Sequence, residues 1–208
     1  MFGDALQGTN RYQIKTIAEV CDKICDGEHA TVKRVKNGKL FISSRNIKTN
    51  HRILLDTVSY ITDESFEKIR RRFDPESGDI LLTCAGSIGN SAVVPEMEPF
   101  VADRGLTMLR PNIALVMPEY LHMCITTEFI QEQMRRSIHA TALAHLYLNK
   151  IKSLRLIVAP LECQKEFISQ LRQVDKSKYY NEKSREQICQ TLNFFKRKNN
   201  IISLQLPQ

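Results

Sequence analysis

No two of the six cysteines are spaced as a CxxC pair; Cys21, Cys25, Cys84, Cys124, Cys163 and Cys189 are scattered along the chain. A paired-cysteine zinc framework is therefore missing, and Cys21 and Cys25, at helical spacing, read more simply as two buried thiols. There is no H-E-x-x-H segment for a zinc hydrolase and no G-x-x-x-x-G-K-[ST] loop for a P-loop ATPase. Neither Asn-Pro-Pro-Tyr nor Asp-Pro-Pro-Tyr occurs, the tetrapeptides with which an amino-methyltransferase holds a flipped base. No Asp-x-Lys or Glu-x-Lys triplet occurs, which argues against the common metal-dependent nucleases. The five histidines have no telling spacing, and Cys84 lies in an apolar run, so a Cys–His nucleophile is the remotest reading. No catalytic residue, metal ligand or cofactor is expected. No signal peptide is visible and no apolar run is long enough to cross a bilayer, so the expectation is a reduced, cytoplasmic chain without a membrane partner.

What is present is positive charge and enough apolar residue for a core. The chain of 208 residues is 42% hydrophobic, which suits one large domain, or a domain with an appendage. Its formal net charge is +7. Residues 29–55 hold seven cations and no acid: Lys33, Arg34, Lys36, Lys39, Arg45, Lys48 and Arg52. Residues 133–161 hold five, again with no acid: Arg135, Arg136, Lys150, Lys152 and Arg155. A third cluster, Lys68 with Arg70, Arg71 and Arg72, is flanked by acids. Phosphate neutralisation needs cations without competing carboxylates, so two acid-free stretches on one face would make a duplex-binding surface. Each alone reads as a solvated face.

The chain is organised around Gly78-Asp79-Ile80-Leu81-Leu82-Thr83-Cys84-Ala85-Gly86-Ser87-Ile88-Gly89-Asn90. Residues 80–83 form an apolar run that predicts a buried strand. Gly86, Ser87 and Gly89 permit a tight reversal with positive φ or a close backbone approach. Residues 92–94 predict a second strand, stopped by Pro95. Before this hairpin, residues 14–25 predict a short helix or helix-like turn, and 40–42, 53–55 and 58–61 predict strands. Thr62 or Asp63 caps a helix to Arg71 that buries Phe66 and Ile69. After the hairpin, 100–101 and 107–109 predict strands. Pro118 opens a helix to about Ile138, with Leu121, Cys124, Ile125, Phe129 and Met134 on its apolar side. Asn149 is expected to cap a short helix at 150–154, and 156–158 to form a last strand.

Pro160 then opens a long helix. Phe167, Leu171, Val174, Lys178, Asn181, Arg185, Ile188, Leu192 and Phe195 alternate in steps of four and three, a heptad seam with a polar middle. A helix over residues 161–199 would run roughly 55–60 Å and would need a partner helix. A solvated helix docked on its own domain is the alternative.

Several segments together resemble one family, the DNA-specificity (S) subunit of type I restriction–modification systems. Residues 78–83 and 86–89 look like its G-D-I-L-x-[TS]-x-x-G-[ST]-[IV]-G signature. Residues 26–31, Asp-Gly-Glu-His-Ala-Thr, are similar to its D-G-x-H-x-T opening, and 41–47, Phe-Ile-Ser-Ser-Arg-Asn-Ile, to the strand that follows. Residues 140–150 resemble the close of a target recognition domain, and 156–164 the start of its conserved-region helix. Ala159 and Cys163 depart from the proline and glutamate usual there, and residues 30–32 lack the usual proline. The resemblance implies an α+β chain: a mixed α/β target recognition domain over residues 14–159, then a long coiled-coil helix over 160–199. The polar segment 1–13 and the tail 200–208 flank them. It implies a non-catalytic subunit that reads half of a bipartite double-stranded DNA site and holds methyltransferase (M) subunits, with a restriction (R) subunit joining the complex. A full S subunit carries two such halves, and Met1-Phe2-Gly3-Asp4 resembles the phrase before the second, so a half-subunit is expected, pairing as a homodimer or with another half. Lys33, Arg34, Lys36, Lys48 and Arg104 are the expected phosphate contacts; Arg45, Asn46, Ser87, Asn90 and His145 the expected base-edge or groove contacts. Phe167, Leu171, Val174, Ile188, Leu192 and Phe195 are the expected helix-pairing residues. The rival readings are a structural adaptor with an incidental basic face, and a small nuclease or cysteine hydrolase.

Overall fold

Residues 80–83 are apolar without alternation because both faces of their strand are covered. In the computed structural model, which describes residues 12–138 and 144–176 and side chains of the last helix as far as Arg172, Ile80 and Leu82 enter one core and Leu81 another, all fully buried. The elements in order are β1 (Gln13–Thr16), α1 (Ile17–Val20), β2 (Cys21–Asp26), β3 (Lys39–Ile42), a 3-10 turn at Ser44–Asn46, β4 (Ser59–Ile61), α2 (Asp63–Arg70), β5 (Ile80–Thr83), β6 (Ser91–Val93), β7 (Phe100–Ala102), β8 (Leu106–Pro111), α3 (Pro118–Thr126), α4 (Glu128–Ile138), α5 (Leu148–Lys152), β9 (Arg155–Val158) and α6 (Leu161–Lys176).

Three sheets form among the described residues: β2-β8-β5-β6, β4-β3-β7 and the pair β1-β9. All neighbours are antiparallel except β3 and β7. One core lies between the two larger sheets and α2, around Phe41, Phe66, Phe73, Phe100 and Met108. The other lies between the β2-β8-β5-β6 sheet and α3, α4 and α5, around Ile17, Leu109, Leu121, Ile130 and Leu156. Each fully buried Leu, Ile or Phe contributes about 1.5–3 kcal/mol. The α+β mixture is as expected, and α2 forms where its cap predicts: Thr62 Oγ1 accepts from the Ser65 N–H at 3.3 Å, and Phe66 and Ile69 are buried.

Four expectations need correction. The helix of residues 118–138 is two, because Thr127 adopts extended backbone and its hydroxyl bonds back to the Cys124 carbonyl at 2.6 Å. The re-registered α4 turns Phe129 outward, 37% exposed. Asn149 sits inside α5, because the Tyr147 carbonyl already accepts the Lys150 and Ile151 N–H groups. Residues 53–55 form no strand; Ile53 makes a single bridge to Ile47. The helical turn in residues 14–25 is only Ile17–Val20, with strands on both sides. No described helix is long and apolar enough to cross a membrane. Of the long helix, the first sixteen residues are described; Ile188, Leu192 and Phe195 lie outside the described residues.

Candidate nucleic-acid interface

The ends of β2, β3, β5 and β7 and the segment before α5 converge. Gly27 packs so closely on the turn after β7 that a Cβ there would stand 2.1 Å from the Asp103 carbonyl oxygen. The neighbouring Glu28 N–H donates to the Ala102 carbonyl at 2.7 Å, and the Arg104 N–H returns to the Glu28 carbonyl at 2.9 Å. From β5, the Cys84 N–H reaches the Gly105 carbonyl and the Cys84 carbonyl accepts from Leu146, both at 2.9 Å, while Ala85 bridges His145. The Asp-Gly-Glu-His and Gly-Ser-Ile-Gly segments, far apart in sequence, thus share one rim.

The turn after β5 is closed tightly. Thr83 N–H donates to the Asn90 carbonyl at 2.8 Å, Gly89 N–H to the Thr83 carbonyl at 3.0 Å, and Thr83 Oγ1 to the Ser87 carbonyl at 2.5 Å. Gly89 has φ 93°, which glycine adopts without strain, and Gln131 Nε2 of α4 holds its carbonyl at 3.1 Å. Ser87 is left exposed on a braced turn.

Beside it lies an open cleft of about 480 Å³, lined by Ser44, Arg45, Ile47, Lys48, Thr49, Thr57, Ser87 and Asn90. Four of the expected contacts, Arg45, Lys48, Ser87 and Asn90, meet there. Ser44, Thr49 and Thr57 are additional; the acid-free run containing Arg45 and Lys48 is the only signal in the sequence for the first two, and Thr57, just after Asp56, has none. Arg45 is exposed and makes no hydrogen bond among the described residues. Arg34, Arg45 and Arg104 gather around Asp103, whose carboxyl burial pushes above the usual carboxylate range while the Gly105 N–H and these arginines pull it down. Arg34 lies over the Phe41 ring at 3.8 Å and donates to the Val32 carbonyl at 2.9 Å, which holds its guanidinium in place. Lys33 and Lys36 are exposed on the same segment. His145 is half-buried, its ring 4.9 Å from the exposed Tyr147 ring.

Asn46, an expected base-edge or groove contact, is buried and engaged within its own loop. It is 1% exposed, its Oδ1 accepts from the Ser43 N–H at 3.0 Å, and its Nδ2 donates to the Leu54 carbonyl at 2.9 Å. It braces the loop that carries Arg45 and Lys48. The second acid-free stretch is also acid-free only in sequence. Arg135 bonds Glu128 and Glu132 on its own helix, and Arg136 bonds Glu132 at 2.8 Å. As for a cysteine nucleophile, Cys84 is fully buried, its thiol pushed up to about 11 by burial and so protonated at neutral pH. No cluster of three or more potential metal ligands forms among the described residues.

The loop at the cleft's far wall is pinned from below. His51 Nδ1 and His122 Nε2 both donate to the Ser91 carbonyl at 3.2 Å, with their rings at right angles and 5.1 Å apart. His51 takes φ 61°, a strained conformation for a non-glycine residue. Burial pushes the His122 imidazole down to about 4, His51 adds to the shift and the Ser91 carbonyl opposes it. Because the folded-state value lies below the ordinary 6.5, the unfolded chain binds a proton that the folded chain refuses. Stability is full above about pH 6.5 and falls as pH drops towards about 4, by up to about 3 kcal/mol. Urea unfolding of the His122→Asn variant should show a flatter fall in midpoint between about pH 7 and about pH 4.5. A profile parallel to that of the unaltered chain would show that His122 titrates freely.

At the other end, α6 starts against the head. Phe167, expected on the pairing seam, is 5% exposed and packs with Leu171 on Tyr120 and Met123 of α3. Val174 lies beyond the described side chains.

Three comparisons with known proteins bear on this arrangement. The sequence model of the type I restriction modification DNA specificity domain matches residues 10–190. A type I restriction enzyme specificity subunit of Haemophilus influenzae is 23% identical over 112 residues, covering 53% of this chain and 28% of that protein. The crystal structure of the HsdS subunit from Thermoanaerobacter tengcongensis superposes with a TM-score of 0.58 at 16% identity, over 93% of this chain and 47% of that one. The type I restriction-modification S subunit from M. genitalium gives 0.54 at 16% identity, over 83% and 41%. The two structures share the fold, and the chain spans less than half the length of each of these relatives. With most of its residues matched in order, the chain belongs to the type I restriction modification DNA specificity domain family.

Proposed function

We propose that this chain is a non-catalytic recognition component that reads one half of a bipartite duplex DNA site. The observation that carries the reading is the cleft where Arg45, Lys48, Ser87 and Asn90 meet, with Arg34 and Arg104 grouped with Arg45 around Asp103; in this reading Lys33, Lys36 and His145 serve the same face. Hydroxyls, an amide and cations in excess over the one nearby carboxylate, on braced loops, suit base edges flanked by phosphates. Residues 14–159 form the recognition domain in this reading, and residues 160–199 continue as a pairing helix. The partner-facing seam begins beyond Phe167, with Val174, Ile188, Leu192 and Phe195, and meets a second copy or another half-subunit. The paired helices hold methyltransferase subunits, and a restriction subunit joins the assembly. Methylation mapping in a host carrying this chain with its methyltransferase subunit tests the proposal. A methylated bipartite motif that appears only when both are present is expected, with two identical inverted halves if two copies pair. The same methylation without this chain, or none with it, would count for the structural-adaptor reading.

A further inference from the structure

The joint between head and helix is built around one buried carboxamide. Gln164 lies in the first turn of α6 and is fully buried. Its Oε1 accepts from the Met117 N–H at 2.8 Å, just before α3. Its Nε2 donates to the Leu115 carbonyl at 3.0 Å and to the Ala159 carbonyl at 2.7 Å, at the end of β9. One carboxamide therefore ties the start of α6 to two backbone segments, the loop before α3 and the end of β9. It has two N–H donors and one oxygen, and each has a directed partner. A glutamate lacks the donors, and a methionine of similar length lacks both functions. Apolar packing alone would fill the space but would not fix a direction, since only hydrogen bonds are directional here.

Two further contacts hold the same angle. The Tyr120 hydroxyl of α3 donates to the Ile157 carbonyl at 3.1 Å, and its ring meets Phe167 edge-on at 5.9 Å. Two turns beyond Gln164, Arg172 of α6 bonds Glu119 of α3. The helix is thus held at its base and again further up.

We propose that Gln164 is a positioning residue: it fixes the direction of α6 relative to the head, and through it the number of base pairs between the two half-sites that the assembled complex accepts. This rests on the DNA-reading and pairing function proposed above. The lever is of the right size. Over the stretch from Gln164 to Lys176 alone, about 18 Å, a tilt of about 10° already displaces the axis by about 3 Å. That matches the rise of one base pair, about 3.4 Å.

The test uses the full chain with its methyltransferase partner and duplexes that carry the mapped half-sites at the native spacing, one base pair shorter and one longer. The unaltered complex should prefer the native spacing. Gln164→Met should keep the half-site sequence but lose at least tenfold of that preference, and Glu119→Ala, at a half-buried position, should shift it in the same direction by less. A spacing preference retained within twofold in Gln164→Met, or methylation lost equally on all spacings, overturns the proposal. Should Gln164→Met fail to fold, the profile of Glu119→Ala decides, an unchanged preference counting against. A second arm needs no DNA: electron–electron resonance between spin labels at the exposed positions Glu64 and Ser169. Gln164→Met should broaden the distance distribution, and a distribution as narrow as that of the unaltered chain overturns the joint. If the unaltered complex methylates no bipartite site, the DNA reading falls, and the resonance arm still judges the joint.

Discussion

Alanine at Arg34, Arg45 and Lys48 together should weaken duplex binding by the assembled complex on the order of a hundredfold, and should lower the slope of log affinity against log salt by about 3. The three residues come from two loops on one rim and line or flank one cleft. A phosphate contact acts through counterion release, so its loss shows alike on cognate and unrelated duplexes. If Arg45 reads a base edge instead, its single alanine variant should lose more on the cognate duplex and relax one position of the mapped motif. Arg136→Ala is the matched control, because that guanidinium is already engaged by Glu132. Equal losses for the control and the triple variant, or an unmoved salt slope, would remove this face from the interface. Titration by fluorescence anisotropy at several salt concentrations measures both quantities.

The second large effect concerns the head's stability. Asp79, in the Gly-Asp-Ile-Leu segment, is 2% exposed and receives Arg110 in a two-pronged pair, Nε at 3.0 Å to Oδ1 and Nη2 at 2.8 Å to Oδ2. Its Oδ2 also accepts the Glu76 N–H at 2.8 Å, and Arg110 Nη2 reaches the Asp74 carbonyl at 2.8 Å. The clamp ties the turn before β5 to β8. Asp79→Ala should cost about 2–3 kcal/mol, because it removes the acceptor of the Glu76 N–H and of one edge of the half-buried guanidinium, while Glu76 and the Asp74 carbonyl still hold Arg110. Against a domain stability of about 5–15 kcal/mol, that is a large fraction. Asp79→Asn keeps one acceptor and should cost less. Urea midpoints of the two variants check the order, and a midpoint for Asp79→Ala within experimental error of the unaltered chain would refute the clamp.

Much of the scaffold could be read from residue pattern. The uninterrupted run in residues 80–83 announces a strand covered on both sides, and Thr62 announces α2. What pattern could not reveal is long-range partnership. Asp79 looks like a turn residue until Arg110, thirty-one positions later, is seen on the neighbouring strand. Asn46 has the side chain that reads adenine edges, and burial alone turns it into a loop brace. Arg135 and Arg136 look free because the acids that bind them, Glu128 and Glu132, lie just before the window that excluded acids. Phe167 fits a heptad, yet a heptad position cannot say whether its neighbour is a second helix or Tyr120 of its own head. The cleft was legible only in part, since Thr49 and Thr57 enter it through the path of a loop that has no periodicity.

The strand of residues 80–83 feeds two cores at once, Leu81 to one side and Ile80 and Leu82 to the other. Loss of this one strand would open both cores, and the loops that hang from its ends would lose their anchorage together. A damaged copy does not linger as a half-ordered particle offering a blurred version of its surface. Its failure would be silence rather than promiscuity, which would suit the DNA-reading role proposed above.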